Sequence, residues 1–350
     1  MVENIREFSL LELEARFKTQ GIQPYRARQV FGWLYDKGVE EFSGMTNLPR
    51  DLQEKLASFY RIEKPEIVRI ATARDMTQKF VFKLADGAFI ESVSIPAKSR
   101  LTVCLSTQVG CKFGCLFCAS GANGFRRNLT TAEILSQFIA IRRHVPEGHV
   151  SNIVFMGIGE PLDNYAALMK AVRILNDALG VRLGARKITI STAGLVPGID
   201  KLGQEGMQLE LSVSLHAATD EKRSSLMPIN RRYPLKQLMA AVRRYILATK
   251  RKVTFEYVLL GGFNTTVEDA EALCRLARGT LTRVNLIPYN PGIGRAAFEA
   301  PTKLEVLVFK SYLTKKGIEV TLRMPRGEDI AAACGQLRAA AMEENKAHGA

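Results

Sequence analysis

The chain has 350 residues, 47% of them hydrophobic and 24% charged, with a formal net charge of +14. That length and balance suit one large globular domain plus a small one, and exclude a disordered or low-complexity chain. The N-terminus carries acids and no apolar h-region, so no signal peptide is expected, and no run approaches the roughly 18 apolar residues of a membrane span. A cytoplasmic, reducing setting follows, in which the six cysteines are kept for chemistry rather than disulfides. The positive charge falls in short clusters: Arg126-Arg127, Arg142-Arg143, Arg231-Arg232, Arg243-Arg244, Lys250-Arg251-Lys252 and Lys315-Lys316. One such pair is ordinarily a solvated helix face. The excess over the whole chain points to a polyanionic partner, most simply nucleic acid.

Residues 1–80 read as a helical accessory domain. Leu10–Gln20 and Tyr25–Lys37 carry helical periodicity, with Val30, Phe31 and Leu34 on one face. Met45-Thr46-Asn47-Leu48-Pro49 is a turn, and Thr46 or Asn47 suits the cap of a helix running through Leu56. Tyr25, Arg26, Arg28 and Lys37 interleave aromatic and basic character, which fits an RNA-touching face or a packing surface equally well. Residues 81–100 form a β-hairpin linker region, because Lys79–Leu84 and Phe89–Pro96 alternate across Ala85-Asp86-Gly87.

Residues 101–338 alternate strands and helices, which argues a parallel sheet. Arg100–Thr107 reads as a buried strand running into Cys111-Lys112-Phe113-Gly114-Cys115-Leu116-Phe117-Cys118. Cysteines at i, i+4 and i+7 of a turning loop aim three thiolates at one point. Three thiolates suit an iron–sulfur cluster with one iron open, whereas four would close every iron. Structural zinc needs a fourth ligand, and partial disulfides need an oxidising compartment; both stay open here as the plainer readings. Thr130-Thr131-Ala132-Glu133 then opens a helix with a usable cap. Further strands are expected at Ser151–Met156, Lys187–Ser191, Leu209–Leu215, Lys252–Leu259, Arg283–Ile287 and Glu319–Leu322. Helices fit between them at Tyr165–Leu179, Leu235–Ala248 and Val267–Arg278. About seven strands, one short of a closed β/α barrel, imply an open, partial barrel whose mouth admits a macromolecule. Residues 339–350 are an Ala-rich, charged tail expected to fray.

Polar groups cluster at the C-terminal ends of these strands, where barrels bind ligands. Gly157-Ile158-Gly159-Glu160-Pro161 follows the second strand, where glycines let backbone approach a ligand and the carboxylate suits an ammonium group. Ser191 ends the third strand, Ser214-Leu215-His216 the fourth, and Asn290 follows the sixth. Singly, each would be an ordinary turn residue. Cys274 fits the apolar face of its helix with Leu273 and Leu276 and reads as core, while Cys104 and Cys334 are evenly balanced between core and chemistry.

The cysteine loop is the signature of the radical S-adenosylmethionine (SAM) superfamily. Together with Ser106-Thr107-Gln108-Val109-Gly110, Gly159-Glu160-Pro161-Leu162, Ser214-Leu215-His216 and Ala333-Cys334-Gly335-Gln336-Leu337, it resembles the RlmN/Cfr family of RNA methyltransferases. Pro24-Tyr25-Arg26-Ala27-Arg28 and Met45–Pro49 resemble that family's accessory domain, and Pro161 resembles the RlmN branch, since Cfr enzymes typically carry Ala there. The resemblance implies a radical SAM partial barrel and methylation of adenine C2 at one adenosine in 23S rRNA and one in tRNA, with two SAM per turnover. It implies a 4Fe–4S cluster on Cys111, Cys115 and Cys118, and SAM contacts from Gly159, Glu160, Ser191, Ser214, Leu215, His216 and Asn290. It further implies that Cys334 carries the methyl group, that Glu91 accepts the C2 proton, and that Cys104 resolves the RNA adduct through a transient disulfide with Cys334. Without the family, Glu91 would read as a solvent-facing strand carboxylate. An electron donor and a disulfide reductant complete the implied partners; no membrane and no partner chain is required, so a monomer is expected. The rivals are C8-directed methylation and a non-enzymatic basic RNA-binding protein with a structural metal.

Overall fold

The computed structural model describes residues 2–121, 124–145, 150–290, 298–324, 326–332 and 335–337. Its N-terminal part is a three-helix module: α1 (Leu10–Thr19), α2 (Tyr25–Gly32) and α3 (Arg50–Phe59). A capping box between Ser9 and Glu12 starts α1. α2 continues as one wider π turn through Lys37, and Gly38 ends it in the left-handed conformation. The module is anchored to the rest of the chain by Arg6, which is 1% exposed. Its guanidinium donates to the carbonyls of Glu63 and Val39 at 3.1 Å each and to Ser136 Oγ at 3.2 Å. A buried charge needs such partners to be tolerated.

The body is one ten-stranded sheet. Antiparallel strands β1 (Glu66–Thr72), β2 (Gln78–Lys83) and β3 (Phe89–Ala97) lead into β4 (Arg100–Cys104). Two short strands, β5 (Gln108–Gly110) and β6 (Phe125–Asn128), pair with each other as a separate ribbon. The main sheet resumes with β7 (Asn152–Phe155), β8 (Ile188–Thr192), β9 (Glu210–Ser214), β10 (Val253–Leu259), β11 (Thr282–Pro288) and β12 (Val320–Leu322). From β4 through β7 to β12 every pairing is parallel, so seven strands form the expected open barrel. Around it lie α4 (Thr131–His144), α5 (Tyr165–Asn176), α6 (Val196–Gly203), α7 (Asp220–Leu226), α8 (Leu235–Thr249), α9 (Val267–Ala277) and α10 (Lys303–Lys315). Thr130 and Glu133 form the capping box that starts α4. β10 is buried along its whole length, as a central parallel strand covered on both faces must be.

Two expectations need correction. Residues 66–72, assigned above to the helical module, are a strand that extends the hairpin of residues 79–96 to three strands joined to the barrel sheet. The apolar residues Ile67, Val68, Ile70 and Ala71 do not alternate with polar ones, because β1 is an edge strand with mostly exposed residues and no single buried face. The strand expected over Arg100–Thr107 ends at Cys104; beyond it the chain bends so that the Thr107 N–H donates to the Ile158 carbonyl at 2.9 Å. Among the described residues no helix is long and apolar enough to cross a membrane. The tail expected to fray lies outside the described residues.

Candidate active site

The cysteine loop is shaped by backbone. Gly110 has φ +74°, and a Cβ there would meet the Gly124 carbonyl at 1.8 Å. Only glycine therefore lets the two arms of the loop close, with the Cys111 N–H donating to that carbonyl at 3.0 Å. The far arm is fixed from outside: the Leu116 N–H donates to Leu226 O at 3.0 Å, and the Ala119 N–H to Gly335 O at 2.7 Å. Cys111, Cys115 and Cys118 all line one cavity of about 940 Å³ at the C-terminal end of the barrel. Burial pushes the Cys111 thiol up to about 12, with the neighbouring charges of Cys118, Glu160 and Asp163 adding to it. Burial and the other two cysteines push Cys115 up as well. Mutually repelling thiolates in one wall are the arrangement that a bound metal relieves, since a coordinating thiol is held deprotonated.

Glu160 projects into the same cavity at the end of β7 and is 3% exposed. Its Oε2 accepts from the Ala193 N–H at 2.7 Å and its Oε1 from the Leu162 N–H at 3.1 Å. Burial nonetheless raises its pKa to about 7. A cationic group arriving in the cavity would restore the carboxylate. Gly159 beside it has φ +106°, and a Cβ would meet Gln108 Cβ at 2.5 Å. Gly157 is equally confined: a Cβ there would lie 2.7 Å from the Leu105 carbonyl.

Ser191, Ser214 and His216 line this cavity too. His216 has φ +57° and is pinned from three sides. Its Nδ1 accepts from the Val258 N–H at 3.0 Å, its carbonyl accepts from Asn264 Nδ2 at 2.8 Å, and its ring meets Phe117 edge-on with centroids 4.5 Å apart. Because Nδ1 must be an acceptor, the neutral ring carries its hydrogen on Nε2. Burial and the Arg223 charge lower the His216 pKa to about 3, so the ring stays neutral. With its hydrogen on Nε2, His216 offers no lone pair for a fourth metal ligand. Among the described residues lining the cavity, the thiols of Cys111, Cys115 and Cys118 and the carboxylates of Glu160 and Glu256 are the groups able to bind a metal. Three thiols on one loop are the donor set that an iron–sulfur cluster with one open iron takes. Leu215 does not line the cavity; it is fully buried in the main core, and the site gains only its backbone. Its carbonyl accepts from Arg223 Nε at 3.1 Å.

A second cavity adjoins the first and shares the walls Phe117, Met156, Val258, Ile287, Arg323 and Gly335. Cys104 and Asn290 line this one, with Ala332, Gln336 and Leu337 of the C-terminal segment. Asn290 thus lines the second cavity rather than the one that holds the cysteines. Cys334 lies outside the described residues. Glu91 is 1% exposed, so the solvent-facing reading fails. It shares a face of β3 with Val93 and Ile95, which line the second cavity. Its backbone is fixed by Ser106 Oγ, which donates to the Glu91 carbonyl at 2.5 Å. Gln137 locks the flanking Ser92 and Ser106 at 2.6 and 3.0 Å. In the accessory module, Arg28 pairs with Glu14 at 3.0 Å and Lys37 with Asp36 at 3.2 Å, while Tyr25 is exposed with Arg26 over its ring.

This geometry has close counterparts. The family model of the radical SAM superfamily matches residues 105–277, and the model described as the ribosomal RNA large subunit methyltransferase N-terminal domain matches residues 3–62. A relative from Syntrophus aciditrophicus, named dual-specificity RNA methyltransferase RlmN, is 45% identical over 97% of this chain and 98% of its own length. One from Geobacillus kaustophilus, named as a probable enzyme of that kind, is 46% identical over 97% of this chain and 94% of its own. The chain belongs to the RlmN family of the radical SAM superfamily. The crystal structure of a radical SAM methyltransferase from Sphaerobacter thermophilus superposes with a TM-score of 0.92 at 47% identity, covering 96% of this chain and 99% of that one.

Three residues of this RlmN family member escaped the sequence reading. Gln108, fully buried, joins the cysteine loop to the Gly159–Glu160 turn. Arg223, 1% exposed, reaches the carbonyls of Ala193 at 2.7 Å and Ser214 at 3.1 Å and so holds the ends of β8 and β9 together. Nothing local in the sequence marks Arg223, while Gln108 stands in the Ser106–Gly110 motif with no role assigned to it there. Glu256 does have a signal: it is the lone acid in the apolar run of β10. It lines the first cavity, its Oε1 accepting from Ser212 and Asn285 at 3.2 Å each, and burial raises its pKa.

Proposed function

We propose that this chain methylates C2 of adenosine in 23S rRNA and in tRNA, consuming two SAM per turnover. Adenine C2 is not nucleophilic, so a methyl group cannot pass to it by simple displacement. Cys334 therefore takes the methyl first, its thiolate displacing S-adenosylhomocysteine from one SAM. The cluster held by Cys111, Cys115 and Cys118 supplies, when bound, the electron that cleaves a second SAM so that a hydrogen can be removed from that methyl group. Glu160, Ser191, Ser214, His216 and Asn290 orient the SAM, with the Glu160 carboxylate matched to its ammonium group. The activated carbon bonds to C2 and leaves the RNA tethered to Cys334. The odd-electron adduct then gives up one electron, which the oxidised cluster would take back, and the C2 proton, which Glu91 accepts. The Cys104 thiolate attacks the Cys334 sulfur, the sulfur–carbon bond breaks with its electron pair going to the methylene carbon, that carbon takes a proton to become the methyl group, and methylated RNA departs. The resulting disulfide is returned to two thiols by an external reductant.

One observation carries this reading. Cys104 and the residues flanking Cys334, Ala332 and Gly335, line a cavity that shares its wall with the one holding the cysteine loop and Glu160. Glu91 lies on the same strand face as the lining residue Val93. Arg323 and Arg326 at the same cavity suit the phosphates of an incoming RNA. The test is incubation with rRNA and tRNA fragments under reducing, oxygen-free conditions, followed by mass spectrometry of the nucleosides. 2-Methyladenosine is expected in both RNAs. 8-Methyladenosine, or no methylated base with a loaded cluster, overturns the proposal.

A further inference from the structure

We propose that Lys79 is a positioning residue of this reaction: its ammonium group ties the Glu91 carboxylate to the chain segment that carries Cys334. The inference rests on the roles proposed above for Glu91 and Cys334.

Lys79 sits on β2, and its side chain is only 12% exposed. Its Nζ lies 3.4 Å from Glu91 Oε1 and donates to the Ala331 carbonyl at 3.3 Å. A lysine withdrawn from water loses hydration that two such acceptors must replace. The register explains why these groups meet. Lys79 stands opposite Val93, and Val93 stands opposite Cys104, so Lys79 and Cys104 share one row across three strands. Directly opposed residues project from the same face of a sheet, and Glu91, two positions before Val93, projects from that face as well. The ammonium, the carboxylate and the Cys104 thiol therefore occupy one small area of sheet.

The segment above that area is held in an unusual shape. Ala331 has φ +51°, a left-handed conformation that alanine avoids. Such a residue persists only when its surroundings fix it. Here the Ala332 N–H donates to Gly327 O at 2.9 Å, and Lys79 takes the Ala331 carbonyl. The β1–β2 turn holds the same segment from its start: the Arg74 N–H donates to Asp329 Oδ2 at 3.1 Å, and the Gly327 N–H to Asp75 Oδ2 at 3.3 Å. Among the described residues, Lys79 is a contact that joins this strap to the carboxylate. Proton removal by Glu91 and attack by Cys104 both act on RNA tethered to Cys334. Both need the segment and the strand face kept in register, and Lys79 spans the two.

The experiment compares Lys79→Met, Lys79→Gln, Lys79→Arg and Glu91→Gln in the iron-loaded, full-length protein with a tRNA transcript. Iron content, S-methylation of Cys334 by peptide mass spectrometry, RNA-linked protein on denaturing gels and released 2-methyladenosine are read together. Lys79→Met and Lys79→Gln should keep iron and Cys334 methylation while releasing product roughly ten- to a hundredfold more slowly, with RNA-linked protein accumulating. The effect should fall on kcat with the KM for tRNA unchanged, and Lys79→Arg should restore release. Normal release by both neutral variants, alongside a trapping Glu91→Gln, overturns the role of Lys79 alone. Loss of iron and Cys334 methylation in step with product in both neutral variants also overturns it, because Lys79 is then only a folding contact. Glu91→Gln releasing product normally removes the role of Glu91 and this inference with it.

Discussion

The side-chain carbonyl of Gln108 accepts the backbone N–H of Glu160 at 2.8 Å, while its amide donates to Asn128 and Asp163 at 2.8 Å each. One buried amide thus joins three pieces: β5 before the cysteine loop, β6 after it, and the turn that carries Glu160. The cysteine loop and the candidate SAM-holding turn are thereby fixed to each other, which is what chemistry between a cluster and its ligand would require.

Gly159→Ala attacks that junction directly. The new methyl group would meet Gln108 in a backbone conformation that L-residues avoid. Strain of about 1–3 kcal/mol is expected. Iron content should stay near normal, because no cysteine moves out of its loop. SAM affinity, measured by equilibrium dialysis, should fall by roughly tenfold or more, the equivalent of about 1.4 kcal/mol. Unchanged SAM affinity would show that the turn does not contact the ligand.

Five of the six cysteines should separate by metal content. Cys111→Ala, Cys115→Ala and Cys118→Ala should each abolish the visible absorption of the reconstituted cluster. Cys104→Ala and Cys274→Ala should keep it. Cys274 is 4% exposed on α9 within the main core, so its replacement costs packing only, about 1 kcal/mol by thermal melt. Zinc retained without iron or sulfide by the wild-type chain would reverse the reading of the loop.

Much of this was legible because the relevant signals are local. The spacing of Cys111, Cys115 and Cys118, the Gly157–Glu160 turn and the alternation of strands with capped helices each sit within a short window. β1 was missed because its apolar residues, Ile67, Val68, Ile70 and Ala71, do not fall at every second position as they do in a half-buried strand. Arg223, Gln108 and Lys79 were missed for a different reason. Each matters through a partner far off in sequence: Ala193 is 30 positions from Arg223, Glu160 52 from Gln108 and Ala331 252 from Lys79. Spacing in sequence does not encode such contacts. The family resemblance supplied Glu91, and the fold then changed its meaning by showing it buried beside a cation.

Arg223→Met tests whether the strand ends need that tie. Removing the guanidinium strands the carbonyls of Ala193, Ser214 and Leu215 and the side chain of Asn230 without their donor. Breaking a buried charged network of this kind costs about 3–5 kcal/mol. The urea midpoint should fall accordingly, and SAM binding should weaken even where the variant is folded, because Ser191 and Ser214 lose their relative placement. Wild-type affinity in the folded variant would confine Arg223 to stability.

Two buried groups in the first cavity should oppose each other in pH-dependent stability. The His216 pKa falls from 6.5 to about 3, so the unfolded chain gains a proton that the folded chain refuses. That contribution is whole above 6.5 and is lost as pH drops toward 3. Glu160 runs the other way: its pKa rises from 4.5 to about 7, so its contribution is whole below 4.5 and is lost as pH climbs toward 7. Each slope is about 1.4 kcal/mol per pH unit, and the windows overlap between the two ordinary values. In SAM-free protein the pair should nearly cancel there. His216→Gln should leave Glu160 unopposed, so its unfolding free energy rises by about 2 kcal/mol on going from about pH 6.5 to about pH 5. Glu160→Gln should fall by a similar amount over the same interval. Urea titrations at the two pH values decide it, and parallel behaviour of the two variants would refute the opposed burial of these groups.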